Sequence, residues 1–294
     1  MTRWLITGAG GMLGRDLTEV LARGGARSVT ASTRGELDVT DAAAVRAAVA
    51  GHRVVVNAAA WTDVDGAEAD EAAATRVNGE GPRVVAEACA AEGAVLIQVS
   101  TDYVFPGDGT EPYPHDAPTS PVNAYGRGKL AGERAVTELL PELGYVVRTA
   151  WLYGAHGRNF VSTMLDLAAR RDTVDVVDDQ LGQPTWTVAL AHQIAELGEA
   201  ALAGRAPAGV YHGTASGSGT WFDLARATFE LAGLDPERVR PTTSEAFVRP
   251  AVRPAYSVLA HDRWAKAGVA VQPHWRDQLS EALGTMTAKG RAGA

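Results

Sequence analysis

A glycine-rich turn between the first strand and the first helix restricts the fold of this 294-residue chain more than any other feature. Gly8, Gly11 and Gly14 recur at every third position, directly after an apolar strand at residues 4–7. This spacing allows a tight turn, a close approach of a phosphate to the backbone, and close packing of helix on strand. The helix N-terminus adds free N–H groups and a partial positive charge. The sequence therefore predicts a dinucleotide-binding turn with contacts from Gly8, Gly10, Gly11, Met12, Leu13 and Gly14. The alternative is a glycine-rich connection that binds nothing.

Strands and helices alternate through the first 150 residues. Apolar strands are predicted at 4–7, 28–31, 54–57, 95–99 and 145–148, and helices at 12–22, 41–49, 75–91 and 124–139. Apolar strands without polar alternation are typical of a parallel sheet that is covered on both faces. We predict an α/β fold with a doubly wound parallel sheet, a Rossmann domain in residues 1–150 and a smaller α/β substrate-binding lobe in 151–294. Residues 174–203 are expected to return to the first domain, with a strand at 174–177.

Charge and cysteine content exclude several classes of protein. The net charge is −8 without a block of Lys or Arg, which argues against nucleic-acid and membrane-surface partners. The single cysteine, Cys89, cannot form an internal disulfide. No apolar run approaches the length of a membrane span, about 18 residues, and no signal-peptide pattern is present. We therefore expect a soluble cytoplasmic protein. Seven scattered histidines lack metal-binding spacing, so no catalytic metal is expected.

The end of the second strand bears on the choice of cofactor. An acidic side chain at this place would bind the ribose 2′-hydroxyl of NADH and repel the 2′-phosphate of NADPH. The chain has Ser32, Thr33 and Arg34 instead, which favours NADPH over NADH. Asp38 and Val39 follow and are expected beside the adenine. The alternative for Arg34 is a solvated surface residue.

A tyrosine and a lysine carry the predicted chemistry. Tyr125 and Lys129 lie four residues apart on a predicted helix and therefore share one face. A phenol titrates at a pKa of about 10. A neighbouring ammonium favours its ionised form, so the pair can exchange a proton with a carbonyl or alcohol oxygen. Thr101 ends the fourth strand, which faces the ligand crevice in a doubly wound sheet. We predict that Thr101, Tyr125 and Lys129 are catalytic, although Tyr-x-x-x-Lys alone is common and a strand-end threonine is usually a packing or capping residue.

These motifs together resemble a known enzyme family. The glycine turn, Thr101 and Tyr125-x-x-x-Lys129 are similar to the extended short-chain dehydrogenase/reductase superfamily. Longer strings resemble the dTDP-4-dehydrorhamnose reductase family within it: NAAAWTDVD at 57–65, STDYVF at 100–105, NAYGRGKLAGE at 123–133, RTAWLYG at 148–154 and DQLGQPT at 179–185. The resemblance runs from residue 3 to about 285.

The resemblance implies roles for residues at matching positions. Tyr125 would donate a proton to the C4 oxygen of a keto sugar, Lys129 would hold the nicotinamide ribose and lower the pKa of Tyr125, and Thr101 would bond to the reacting carbonyl. Asp102 and Trp151 are implied substrate contacts; the alternative for Asp102 is a cap on the following loop, and the alternative for Trp151 is a core position. The implied cofactor contacts further include Ala58, Ala59, Ala60, Tyr125 and Lys129, and the implied substrate contacts are Thr101, Asp102, Tyr103, Val104, Trp151, Gln183 and Arg253.

The implied reaction is NADPH-dependent reduction of the C4 ketone of a dTDP-4-keto-6-deoxyhexose, from dTDP-4-dehydrorhamnose to dTDP-L-rhamnose. Related 4,6-dehydratases carry Thr-Asp-Glu where this chain has Thr101-Asp102-Tyr103, and the missing second acid favours a net reduction. One alternative is a 4-ketoreductase for another dTDP-deoxysugar of secondary metabolism, and another is a non-catalytic regulatory subunit. Some members bind Mg²⁺ at a dimer contact near the place of Asp16, but the remaining ligands have no match here. A monomer and a homodimer are both compatible with the sequence.

Overall fold

The computed structural model describes residues 1–23, 25 and 27–292, with side chains as far as residue 286. The strands are β1 Thr2–Thr7, β2 Arg27–Ser32, β3 Val54–Asn57, β4 Val95–Thr101, β5 Gly144–Thr149, β6 Leu152–Tyr153, β7 Val174–Val177, β8 Leu181–Gly182, β9 Thr185–Trp186, β10 Gly209–His212, β11 Ala215–Ser216, β12 Gly219–Thr220, β13 Val239–Thr242 and β14 Gln272–His274. The helices are α1 Met12–Ala22, α2 Ala42–Val49, α3 Val64–Ala69, α4 Glu71–Thr75, α5 Gly81–Glu92, α6 Ala124–Leu139, α7 Phe160–Ala168, α8 Thr187–Leu202, α9 Trp221–Leu231, α10 Trp264–Ala267 and α11 Trp275–Ala292. A π-helical turn, Arg76–Glu80, joins α4 to α5.

A six-stranded parallel sheet forms the centre of the protein, in the order β10-β5-β4-β3-β1-β2. Its middle strands are buried on both faces, as at Val54, Val55 and Val56. Helices α1 and α8 cover one face, and α2, α5 and α6 cover the other. The predicted doubly wound α/β fold is therefore confirmed.

The segment that returns to the sheet differs from the prediction. Strand β7 pairs with β13 in the second lobe, so the prediction that residues 174–177 return to the first domain is wrong. Val174 and Val176 are buried while Asp175 is exposed, an alternation that is typical of a half-buried strand rather than of this central sheet. Helix α8 and strand β10 do return: α8 packs on α1, and β10 pairs with β5 at the sheet edge. The lobe boundary near residue 150 stays a proposal.

The second lobe is built from short strand pairs and three longer helices. Strands β6 and β9, β8 and β12, and β11 and β14 pair beside helices α7, α9 and α11. In the described ranges, no helix is both long and apolar enough to cross a membrane. The carboxyl ends of β1, β3, β4 and β5 meet at the edge of the central sheet that faces this lobe, which is where a doubly wound fold binds its ligands.

Candidate active site

A cleft of about 1080 Å³ lies along the carboxyl ends of the central strands. It is lined by the glycine turn, by the segments that follow β3 and β4, and by the first turns of α6 and α9. Most of the predicted site residues line it: Gly8, Gly10, Gly11, Met12, Leu13, Gly14, Arg34, Asp38, Val39, Ala58, Ala59, Ala60, Thr101, Asp102, Tyr103, Tyr125, Lys129 and Trp151.

The glycine turn has the shape that a dinucleotide requires. Gly8 has a φ of +69°, which other residues rarely adopt, and a Cβ on it would come within 2.6 Å of the Ala59 nitrogen. A Cβ on Gly14 would come within 2.7 Å of the Ala9 Cα, so the helix can approach the turn only without a side chain there. Helix α1 begins after Gly11 without a side-chain cap or an acidic residue in its first turn. Its first N–H groups therefore remain available to phosphates.

The π-helical turn positions the segment after β3, a role that sequence reasoning missed. Asn78 lies buried in this turn. Its Oδ1 accepts a hydrogen bond from the Trp61 N–H at 2.9 Å, and its Nδ2 donates to the Trp61 carbonyl at 3.0 Å. These two bonds fix the chain directly after Ala58–Ala60, where the cofactor contacts are predicted. π-turns inside helices frequently occur at functional sites, but periodicity alone does not reveal them.

One cation and one unforeseen acid follow β2, and a second cation beside them comes from the π-helical turn. Arg34 and Arg76 both line the cleft, and their charges help hydrogen bonds from Thr40 to lower the pKa of Asp38. Arg76 was not predicted. The Thr33 N–H and hydroxyl both donate to the carboxylate of Glu36 at 2.8 Å. Thr33 faces a neighbouring recess instead of the main cleft, and Ser32 does not line the cleft either. Cofactor contacts of these two residues stay predictions.

Tyr125 enters the cleft from the first turn of α6. Asn123 caps this helix through a 2.8 Å bond from the Gly126 N–H, and its Nδ2 donates to the Val252 carbonyl of the second lobe at 2.9 Å. The Tyr125 ring packs edge-on against Tyr103, with 6.0 Å between ring centroids. Because one end of α6 is held by both lobes, the phenol is fixed relative to each of them.

The electrostatics of Tyr125 favour its protonated form. Burial and the negative charge of Asp102 raise the pKa of Tyr125, while hydrogen bonding with Thr101 opposes this shift. The Lys129 ammonium donates to the Val99 carbonyl at 2.6 Å, and its expected lowering of the Tyr125 pKa stays a prediction. Lys129 is 4% exposed, and burial lowers its pKa to about 8 against the opposing charge of Glu133. A protonated phenol is the form that can donate a proton.

Asp102 is a buried carboxyl with one unsatisfied oxygen. Its Oδ1 accepts a 2.9 Å bond from the Thr101 hydroxyl, whereas its Oδ2 has no hydrogen-bond partner among the described residues. Burial raises the pKa of Asp102 to about 6, although the hydrogen bond from Thr101 opposes the shift. The carboxyl is thus kept close to the reacting groups and poorly solvated.

The pKa of Asp102 predicts how stability depends on pH. The Asp102 carboxyl has a pKa of about 6 in the folded state, against 3.8 ordinarily. Between pH 3.8 and about 6, the folded state therefore binds more protons than the unfolded state. Stability contributed by this group is therefore lost as the pH rises from about 4 to about 6, by about 2–3 kcal/mol. We expect Asp102→Asn to remove this part of the pH dependence when the free energy of unfolding is measured in urea from pH 4 to 8. Asp166→Asn, at an exposed position of α7, is the control, and equal slopes for both variants would contradict the assignment.

Two predicted substrate contacts are wrong. Val104 is fully buried with Phe105, Leu130 and Leu259, because the turn after β4 directs it into the core. Gln183 is buried, and its side-chain amide is fully hydrogen-bonded within the second lobe. Its Nε2 donates to the Ala215 and Leu259 carbonyls. Its Oε1 accepts from the Leu259 N–H and the Thr214 hydroxyl. Neither side chain can reach a ligand in the cleft.

Trp151 and Arg253 lie near the cleft in different ways. Trp151 lines it and stacks on Trp221, which was not predicted, with 3.7 Å between ring centroids. Arg253 forms an ion pair with Asp65 of α3 at 3.0 Å. Its positive charge opposes the rise in the pKa of the Tyr103 phenol. A substrate contact by Arg253 stays a prediction, because Arg253 borders Tyr103 without lining the cleft itself.

Asp16, Glu19 and His156 come together beside the glycine turn. Their ligand atoms all lie within 4.8 Å of one another. The imidazole Nε2 of His156 is 3.5 Å from a carboxylate oxygen of each acid, and the Thr187 hydroxyl donates to Asp16 at 2.5 Å. These contacts place an imidazole and a hydroxyl beside two carboxyl groups. Mg²⁺ binding near Asp16 is not tested by them.

Comparison with known proteins identifies close relatives. The sequence matches the family described as RmlD substrate binding domain over residues 2–288. A dTDP-4-dehydrorhamnose reductase of Streptomyces griseus is 62% identical over 293 residues, 99% of this chain and 95% of that protein. A dTDP-4-keto-6-deoxy-D-glucose reductase of Streptomyces niveus is 53% identical over 288 residues, 97% of this chain and 98% of that protein. The crystal structure of a dTDP-4-dehydrorhamnose reductase from Bacillus anthracis, in complex with NADP, has a TM-score of 0.88 at 36% identity and covers 96% of this chain and 99% of that one.

Proposed function

We propose, from the premise that this chain belongs to the RmlD substrate binding domain family, that it is an NADPH-dependent oxidoreductase. It reduces the C4 ketone of a dTDP-4-keto-6-deoxyhexose, converting dTDP-4-dehydrorhamnose to dTDP-L-rhamnose. One observation carries this proposal. Thr101, Tyr125 and Lys129 line the same cleft as a glycine turn that is shaped for a dinucleotide. The reactive side chains and the cofactor turn therefore act on one ligand volume.

The residues of the cleft have separate roles in a carbonyl reduction. When bound, the reduced nicotinamide supplies the hydride that the carbonyl carbon accepts. The Tyr125 phenol donates its proton to the C4 oxygen, which becomes the product hydroxyl. The Thr101 hydroxyl holds that oxygen beside the phenol. Lys129 donates to the Val99 carbonyl, and in the loaded enzyme its ammonium would also hold the nicotinamide ribose. Its ammonium supports the phenolate that proton transfer leaves behind.

Tyr103 supports reduction over dehydration. Elimination of water across C5–C6 needs a second acid after Asp102, and the chain has a phenol at this position. Burial and the charge of Asp102 raise the pKa of Tyr103, so it stays neutral at physiological pH. Without a second carboxylate, the product keeps its hydroxyl groups and NADPH is consumed in each cycle.

Arg34 is expected to favour NADPH over NADH. It lies at the exposed rim of the cleft near Arg76, where a 2′-phosphate would meet positive charge. We expect Arg34→Ala to raise the KM for NADPH about 10- to 150-fold, since a hydrogen bond to a charged group contributes about 1.5–3 kcal/mol, and to change the KM for NADH little. Steady-state kinetics with each cofactor measure this. Arg83→Ala, on the outer surface of α5, is the control, and equal losses with both cofactors for Arg34→Ala would show that Arg34 does not contact the phosphate.

A related substrate is the alternative with specific support. The Streptomyces niveus relative, at 53% identity, carries the name of a reductase for dTDP-4-keto-6-deoxy-D-glucose. We therefore include a 4-ketoreductase for another dTDP-deoxysugar as the second candidate. Turnover of a panel of nucleotide-linked keto sugars, followed by NMR of the products, separates the two candidates by the configuration at C4.

The oxidation of NADPH tests the proposal directly. Purified protein is mixed with NADPH and dTDP-4-keto-6-deoxyhexose, and the absorbance at 340 nm is followed. We expect oxidation that depends on the keto sugar. If the pure protein leaves NADPH unchanged and instead binds another protein tightly, the chain is a regulatory subunit.

A further inference from the structure

Two stacked indole rings form one side of the cleft. Trp151 follows β5 and Trp221 begins α9, so the two rings come from different parts of the chain. Their planes differ by 8° and their centroids are 3.7 Å apart. Both side chains are half-buried and both line the cleft. We call this pair, Trp151 and Trp221, the aromatic wall.

The aromatic wall is held rigidly from behind. Trp151 has a φ of 47°, a left-handed conformation that is strained for a bulky residue and persists only where its surroundings enforce it. Gly182 lies against its ring, and a Cβ there would come within 2.6 Å of the indole carbons. The Trp221 Nε1 donates to Gln180 at 3.1 Å, and the Phe160 ring lies 4.6 Å from the Trp221 ring. These contacts and the stacking of the two rings on each other cover the ring faces, so the wall meets the cleft through its apolar ring edges.

The other side of the same cleft is polar. Thr101 and Thr149 are partners in register at the ends of β4 and β5, and Asp102 follows Thr101. The Asp102 Oδ2 and the Thr149 Oγ1 are buried without a hydrogen-bond partner among the described residues. Buried polar atoms without partners are rare in native proteins, and here two of them lie together at the strand ends that border the cleft. The cleft therefore presents hydrogen-bonding groups on one side and two aromatic rings on the other.

We propose that Trp221 is a specificity-determining residue for the sugar, acting with Trp151 to select hexoses that lack the C6 hydroxyl. This inference rests on the proposed function. A hexose has hydroxyl groups on its edge and C–H groups on its faces, and a 6-deoxyhexose adds a methyl group. The C–H groups and the methyl pack on the aromatic wall, while the hydroxyls face the strand ends. A C6 hydroxyl on the wall loses water without gaining a partner, which disfavours its binding about 10- to 100-fold.

Binding of two matched sugar nucleotides tests the inference without turnover. dTDP-6-deoxyglucose and dTDP-glucose differ only in the C6 hydroxyl, and dTDP alone reports on the nucleotide subsite. By titration calorimetry, we expect the wild-type protein to bind the 6-deoxy compound at least about 10-fold more tightly. In Trp221→Ala this ratio should fall to within about threefold while the affinity for dTDP stays unchanged, because only the sugar contact is lost. Trp221→Phe, which keeps an aromatic face, should retain most of the preference.

A second variant acts on the wall from behind. Gly182→Ala inserts a methyl group against the Trp151 ring and should reduce the ratio as Trp221→Ala does. Near-ultraviolet circular dichroism should show loss of the coupled indole signal in Trp221→Ala and a changed signal in Gly182→Ala. Phe222→Leu, the neighbouring aromatic residue of α9 that lies outside the cleft-lining set, is the matched control and should keep both the ratio and the signal.

Several results would overturn the inference. They are a wild-type protein without preference between the two sugar nucleotides, a folded Trp221→Ala with the wild-type ratio, and an equal loss of affinity for dTDP in that variant. If Trp221→Ala does not fold, an unchanged ratio in Gly182→Ala with a changed indole signal has the same meaning. Failure of the proposed function would appear separately, as an absence of NADPH oxidation with the keto sugar, because the calorimetric ratio does not require turnover.

Discussion

Tyr125→Phe is expected to lower kcat about 10²- to 10⁴-fold, the range that general acid–base groups contribute. The variant removes one hydroxyl and keeps the ring that packs edge-on against Tyr103. The pKa of Tyr125 is raised by burial and by Asp102, so the wild-type phenol carries the proton that the C4 oxygen needs. Water in the cleft is a poor substitute, because its position relative to the carbonyl is not fixed. The affinity for NADPH, measured by fluorescence titration, should stay within about threefold, since the glycine turn is untouched.

The tyrosine experiment has a matched control on the same fold. Tyr113 lies outside the cleft-lining residues, where its hydroxyl bonds to a loop, so Tyr113→Phe should keep kcat within about twofold. Single-turnover rates with saturating NADPH and keto sugar separate the chemical step from binding. A Tyr125→Phe variant with near wild-type kcat would remove Tyr125 from the mechanism. An equal loss of NADPH affinity and of kcat would indicate a structural role instead.

Glu133→Ala is expected to lower the free energy of unfolding by about 3–5 kcal/mol, the cost of removing one partner from a buried ion pair. Arg148 and Glu133 are only 4% and 3% exposed, and the guanidinium reaches both carboxylate oxygens, the shortest contact being 2.7 Å. The Ser100 hydroxyl donates to the same carboxylate at 2.5 Å. Without Glu133 the charge of Arg148 stays buried and uncompensated. Urea denaturation followed by circular dichroism measures the loss.

An exposed ion pair on the same protein is the control for this experiment. Glu230 pairs with Arg276, and both side chains are solvent-exposed. Glu230→Ala should cost less than about 1 kcal/mol, since exposed pairs contribute little. Equal losses for the two variants would contradict the assignment of a buried, structural pair. The Glu133 charge also raises the pKa of Lys129. Glu133→Ala should therefore lower this pKa and move the alkaline limb of the pH profile of kcat to lower pH.

Local sequence patterns predicted the elements that carry the candidate site. Helix α1 occupies residues 12–22 as predicted, and the glycine spacing placed its N-terminus next to the cleft. Thr101 ends β4 at the ligand-facing edge of the sheet, as predicted. These features depend on interactions within a few residues: turn conformation, capping, and the burial of apolar strands on both faces. They can be predicted from one sequence because they do not depend on residues far away in the chain.

The sequence by itself determined the doubly wound sheet and the glycine turn, since spacing and local conformation define both. It also predicted Thr101, Tyr125 and Lys129, through their motifs taken together with the family resemblance. Only the tertiary structure decided that β10, not residues 174–177, completes the sheet, that Val104 and Gln183 are buried away from the cleft, and that Trp221 lies on Trp151. The physical reason is that pairing, burial and stacking join residues far apart in the chain. A short apolar strand, a valine or a tryptophan carries no local mark of the partner that will cover it.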